Sequence, residues 1–250
     1  MKTNENRERP LLELEGVSKF FGGLVALDAV DIKVSTGEIV GLIGPNGAGK
    51  TTLFNVISGS YHPEQGKVFF QGNEITGLKP HRTCYQGIAR TFQIPKPFLR
   101  LTVLENMMVG AYFGSRLGKR KETFEKVIEI LQWAGLEKKT LIPSESLNLV
   151  ERKKLEVARA LSTNPKLILL DEVIAGLNPT EASEMISFIT KLRASGLTIF
   201  MIEHLMKVIM NLSDRIVVLH YGKKLSEGTP EEVANNPEVI EAYLGVKANA

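Results

Sequence analysis

Cysteine is almost absent. Cys84 is the only one in 250 residues, so no intramolecular disulfide framework can form, and such usage suits a reducing compartment. No metal-ligand spacing surrounds it, so it reads as structural. Long apolar runs are missing too: nothing approaches the ~18 residues of a transmembrane helix. Membrane contact is therefore expected only through a partner. The first ten residues, MKTNENRERP, are polar and have no apolar segment, unlike a secretory signal. Neither sign of charge dominates, with 31 Lys and Arg against 28 Asp and Glu, a net +3. The basic clusters Lys119–Arg120–Lys121, Lys138–Lys139 and Arg152–Lys153–Lys154 are short. They read as solvated helix surfaces, and no nucleic-acid partner is expected.

A 43% hydrophobic content is enough for one compact domain with a sizeable core. No internal repeat or low-complexity tract interrupts it. LLELEGVSKFF and DAVDIKVSTGE alternate apolar and polar residues and read as strands. GEIVGLIG, PKLILLDE and LTIFMIEH are short apolar runs typical of strands buried on both faces. GKVFFQGNEI predicts a strand pair with a Gly-Asn turn, and RIVVLHYGKKLSEG a hairpin. TFEKVIEILQWAGL places Phe124, Val127, Ile128 and Leu131 on one helical face and ends at Gly135, with Trp133 packed in the core. PTEASEMISFITKLRASG puts Met185, Ile186, Ile189 and Leu192 on another. Leu155, Val157, Ala158 and Leu161 mark a third amphipathic helix. TPEEVANNPEVIEAYLG opens with a threonine cap and an acidic first turn and is mostly helical. Strands alternating with helices predict an α/β core, and residues 90–161 a mainly helical insertion into it.

Chemistry concentrates first in GPNGAGKTT: Gly44, Pro45, Asn46, Gly47, Ala48, Gly49, Lys50, Thr51 and Thr52. It fits G-x-x-x-x-G-K-[ST] between a strand and a helical pattern, the context this phosphate-binding motif requires. Glycines let backbone N–H groups curl around an anion, and the helix N-terminus adds its dipole. Lys50 would supply charge to the β- and γ-phosphates, and the Thr51 hydroxyl would ligate Mg²⁺. LILLDE then brings Asp171 and Glu172 to the C-terminal end of a buried strand, where open α/β sheets bind ligands. Two adjacent carboxylates suggest divided labour: Asp171 holding Mg²⁺ through water, Glu172 acting as general base on the attacking water.

The phosphate loop, Gln93 in ARTFQ, the helical insertion, ARAL before LILLDE, AGLNP and IEH occur in the order and spacing of ATP-binding-cassette (ABC) ATPase subunits. The resemblance runs from Leu12 to about Leu244. SKFFGGLVALDAV, GIARTFQIPKPF, LTVLENMMVG, AGLNPTE and EVIEAYLG are most similar to the ATP-binding subunits of branched-chain amino acid importers. Importers of urea, amides or aromatic acids share these phrases. The resemblance implies a P-loop NTPase core with an antiparallel β subdomain and a helical subdomain insertion. Residues 11–250 would form a single ABC ATPase domain after a polar tail at 1–10, closing with a helical segment at 229–250. It implies ATP and Mg²⁺, a second ABC ATPase subunit and transmembrane permease subunits, and a peripheral place on the cytoplasmic face of the inner (plasma) membrane. Residue by residue, Phe21 resembles the aromatic that stacks on adenine, with Phe20 as the alternative. Gln93 resembles the glutamine that reaches Mg²⁺ and links the site to the membrane subunits. His204 resembles the switch histidine that contacts the γ-phosphate. His62, His81 and His220 lack such a context and read as surface or loop residues. Asn178 stands where the family usually carries aspartate, and Val173 where proline commonly follows the acidic pair. Two rival readings remain: a soluble ABC ATPase with no transport role, and a regulatory cassette that holds ATP with little hydrolysis.

One further absence matters. The family's loop before ARAL reads L-S-x-G-[QE] and binds the γ-phosphate held by the opposite subunit. Here Leu147 and Glu151 match, but serine is Asn148 and glycine is Val150. Asn148 can still cap a helix. Val150 adds a branched Cβ and does not comfortably adopt a positive φ. Each lost hydrogen bond to a charged group costs ~1.5–3 kcal/mol. The expectation is an asymmetric heterodimer: this chain's own Lys50, Thr51, Asp171, Glu172 and His204 intact, its contribution to a partner's site impaired.

Overall fold

The computed structural model describes residues 9–114 and 120–244. Most of the polar tail, Lys119, the side chains of Arg120 and Lys121, and residues 245–250 lie outside the described residues.

Two sheets organise the chain. β1 (Leu12–Phe21), β2 (Leu24–Val34), β4 (Gln65–Phe70) and β5 (Asn73–Glu74) form an antiparallel sheet in the order β2-β1-β4-β5. The second sheet contains β3 (Ile39–Ile43), β6 (Ile88–Arg90), β7 (Leu167–Asp171), β8 (Thr198–Ile202), β9 (Arg215–His220) and β10 (Lys223–Gly228), in the order β10-β9-β3-β8-β7-β6. All its pairings are parallel except β9 with β10. Every residue of β3, β7 and β8 is buried, as continuous apolar runs covered on both faces require. The sheet thus sets the ends of β3, β7 and β8 side by side.

Helix α1 (Lys50–Ile57) packs between the sheets, where Phe54 meets Phe200 edge to face at 5.2 Å. α2 (Pro80–Gln86) leads into β6. Between β6 and β7 lie α3 (Val103–Gly114), α4 (Arg120–Ala134) and α5 (Leu149–Ser162), which share a core with α6 (Pro179–Ala194), α7 (Met206–Leu212), α8 (Pro230–Ala234) and α9 (Pro237–Leu244). No helix among the described residues is long and apolar enough to cross a membrane.

Three sequence expectations need correction. In α4, Val127 and Leu131 are buried as expected, but Phe124 is 45% exposed and Ile130 takes its place in the core. The hydrophobic face is therefore rotated from the one read. The turn after β4 is Gln71–Gly72, both at positive φ, and Asn73 already pairs with Phe70. This is the pair of left-handed residues a tight hairpin needs. The triplet Arg152–Lys153–Lys154 is not a solvated surface: Lys153 is only 6% exposed, and Lys154 pairs with Glu184.

Candidate nucleotide-binding site

The β3–α1 connection is shaped by two glycines. Gly49 has φ +104, and a Cβ there would stand 2.5 Å from the Ala26 carbonyl oxygen of β2. Gly44 has φ +154, and its Cβ would meet the Leu219 carbonyl oxygen at 2.2 Å. No L side chain fits either place, so the backbone itself forms the cradle. Gly49 caps α1 without a side-chain bond, and no acidic residue occupies the first turn. The first-turn N–H groups therefore face outward without the oxygen acceptor that caps α5, α6 and α8, an arrangement that suits an anion. Lys50 folds back onto this loop, donating to the carbonyls of Gly44 (2.6 Å) and Pro45 (3.0 Å). Burial pushes its pKa down, and the charges of Glu172 and Asp171 oppose that shift.

A cavity of about 300 Å³ opens above the loop. Phe21, Val25 and Ala26 from the antiparallel sheet line one side, and Glu172 and His204 another, with residues 46–52 between them. Phe21, not Phe20, is the aromatic on this wall. Its ring is 43% exposed, held edge to face by Tyr61 at 5.3 Å and approached by the Lys19 ammonium at 5.1 Å.

Glu172 leaves β7 at φ +52, unusual for a residue with a Cβ. Both its carboxylate oxygens are engaged. Gln93 Nε2 donates to Oε2 at 2.6 Å, and His204 Nε2 lies 2.7 Å from Oε1. Gln93 thus joins the site through Glu172 rather than from the cavity wall. Asp171 lies deeper. Burial pushes its pKa up; the Arg90 guanidinium, 2.9 Å away, is the main opposing influence. Arg90 also donates to the Asn55 amide oxygen at 2.6 Å and faces the rings of Phe54 and Phe92. Sequence reading missed Arg90: a three-residue strand offers no periodicity to flag it. His62, His81 and His220 stand outside the cavity wall.

Residues 27–175 match the family model described as ABC transporter, and residues 223–249 that described as Branched-chain amino acid ATP-binding cassette transporter. The chain belongs to the ABC transporter ATP-binding family. It is an ATPase of the kind that powers transport, and its nucleotide is ATP. The probable branched-chain amino acid transport ATP-binding protein LivG of Archaeoglobus fulgidus is 41% identical over 95% of this chain and 96% of the relative. The high-affinity branched-chain amino acid transport ATP-binding protein BraF of Pseudomonas aeruginosa is 39% identical over 95% and 98%. A solved ATP-binding cassette of an ABC transporter, MJ1267 in its ADP conformation, superimposes with a TM-score of 0.85 at 35% identity, covering 95% of this chain and 99% of that one.

Within the ABC cassette, the loop without glycine takes a definite form. Asn148 caps α5: its Oδ1 accepts from Glu151 N–H at 3.0 Å, and Glu151 Oε2 accepts from Asn148 N–H at 3.2 Å. Val150 lies inside the first turn of α5, 5% exposed, and is not among the residues of positive φ. The backbone strain anticipated from the sequence is therefore not present, because helical φ suits a β-branched residue. Asn178 likewise caps α6 in a capping box with Glu181, a role asparagine fills as well as aspartate.

Proposed function

We propose that this chain is the ATP-hydrolysing subunit of an importer for branched-chain amino acids or related small solutes. It would work at the cytoplasmic face of the membrane beside permease subunits and a second, different cassette. The observation that carries the catalytic reading is the convergence of Phe21, residues 46–52, Glu172 and His204 on one cavity. The solute reading rests on the 223–249 match and on the transport named for the two relatives.

In this reading adenine stacks on Phe21 and the triphosphate lies along Gly44–Thr52. Lys50 moves from the loop carbonyls onto phosphate oxygens. Thr51, Gln93 and Asp171 present oxygen atoms, the donor type Mg²⁺ takes, and the Arg90 guanidinium opposes the upward push of burial on the Asp171 pKa. Mg²⁺ held there would spread the charge of the β- and γ-phosphates. Glu172 gives up one of its two present partners and accepts a proton from the attacking water. His204, released from Glu172, contacts the γ-phosphate.

Proteoliposomes holding the permeases, this chain and the second cassette, with ATP enclosed, are expected to take up leucine, isoleucine or valine. Uptake should vanish when this chain is omitted. Hydrolysis without uptake of any of the three would overturn the branched-chain reading and leave only the related small solutes.

The heterodimer is supported by the loop before α5. Asparagine has no hydroxyl, and Asn148 Oδ1 accepts from its own helix, so only the side-chain amide N–H at position 148 would be left to donate to a partner's phosphate. In Asn148→Ser with Val150→Gly, turnover by this chain alone should rise about tenfold or more, the worth of one regained hydrogen bond to a charged group. Unchanged turnover would remove the reason for a different second cassette.

A further inference from the structure

Lys153 has no use in the scheme above, yet it is buried. It lies one turn past the α5 cap. Its ammonium donates to the main-chain carbonyls of Ala175 at 2.6 Å and Glu172 at 3.2 Å. Both belong to the turn that leaves β7 and carries the Glu172 carboxylate. The same turn is gripped from β8: Glu203, 2% exposed, accepts the Ile174 N–H on Oε1 at 2.8 Å. Glu172 N–H donates to the Ile202 carbonyl at 2.9 Å. Residues 172–175 are thus held by one cation from the inserted helices and by the end of one strand of the parallel sheet.

We infer that Lys153 is a positioning residue that ties α5 to the Glu172-bearing turn, so that the helix whose N-terminus would face a partner cassette in the proposed function also sets where the base stands. Two features support a dedicated tether. First, Lys153 aims one ammonium at two main-chain carbonyls of the same turn, so what it holds is backbone. Second, burial pushes its pKa down, against the opposing charges of Glu203, Glu156 and Glu172. A side chain that gave only packing would incur less cost if it were apolar. The tether is also rigid, because two carbonyls three residues apart fix both the direction and the reach of one ammonium. A shift of α5 along its axis therefore reaches the Glu172 backbone through a single side chain.

The inference rests on reading Glu172 as the base, and the experiment separates the two. Lys153→Met, Lys153→Arg and Glu172→Gln are compared with the wild type in the purified transporter complex. The readouts are kcat and KM for ATP, equilibrium binding of trinitrophenyl-ATP, and melting temperature. Lys153→Met should lower kcat about tenfold to a hundredfold, as displacement of a reacting group does. KM and trinitrophenyl-ATP binding should stay within about twofold. Lys153→Arg should recover most of the loss, because guanidinium can reach both carbonyls. If Glu172→Gln leaves turnover intact, the base reading fails. If Glu172→Gln stops turnover and Lys153→Met does not slow it, the tether fails while the base stands. A Lys153→Met variant that loses kcat, binding and melting temperature together, without rescue by arginine, marks a merely structural lysine and also overturns the inference. Should Lys153→Met not fold, Lys153→Arg and Lys153→Gln decide: arginine near wild-type kcat with glutamine slowed supports the tether, and equal rates refute it.

Discussion

Glu172→Gln is expected to reduce steady-state ATP turnover by roughly 100-fold or more, the worth of a general base, while leaving ATP binding intact. Glutamine keeps the volume and one acceptor oxygen, so the contacts to Gln93 and His204 can partly persist. What is lost is the ability to take a proton from water. In the proposed reading, nucleotide binding falls to Lys50 and the loop, both upstream of this change. Turnover by the purified complex, read beside trinitrophenyl-ATP titration, checks it. Equal turnover in variant and wild type would mean that the proton goes elsewhere, with His204 the next group in the cavity.

A second large effect concerns stability and pH. Burial pushes the Glu203 pKa from 4.5 up to about 7, despite the Ile174 N–H and the Lys153 charge that favour the carboxylate. Glu172 adds to the rise, and His204 follows next in the chain. The folded state therefore holds this proton more tightly than the unfolded chain. The stabilisation is full below the unfolded value, is lost as pH climbs between the two, and is gone above about 7. At 1.36 kcal/mol per unit, the loss between about pH 5 and about pH 8 comes to ~2–3 kcal/mol. Glu203→Gln cannot titrate, so its stability relative to wild type should improve by that amount over the interval. Urea unfolding of both proteins at the two pH values measures it. Parallel curves would mean that Glu203 ionises freely in the fold.

Much of the site was readable because its elements are local. A loop that wraps an anion needs glycines within a few residues of a lysine and a helix start, and Gly44–Thr52 contains all three. A buried strand ending in two acids marks itself, as LILLDE does. The choice between Phe20 and Phe21 was open, since neighbours on a strand point to opposite faces, and only the cavity wall decided for Phe21. The φ argument against Val150 misled because a residue type was judged without its backbone; inside a helical turn, valine carries no φ penalty. Lys153 left a faint signal: it shares a helical face with Val150 and Val157, both buried, three residues before and four after. Reading it as part of a charged triplet hid that face.

The sequence by itself determined that this chain binds a phosphate-bearing nucleotide in an α/β core, which strand ends carry the acids, and to which family it belongs. The first two rest on residues close together in the chain, and the third on short motifs, each local, in a fixed order along it. Only the tertiary structure decided which side chains meet. Arg90 reaches Asp171 across 81 positions, Gln93 reaches Glu172 across 79, and His204 reaches Glu172 across 32. These meetings depend on the spatial order β3-β8-β7-β6. That order arises from burying several apolar strands and helices at once, a property of the whole chain that no local pattern encodes.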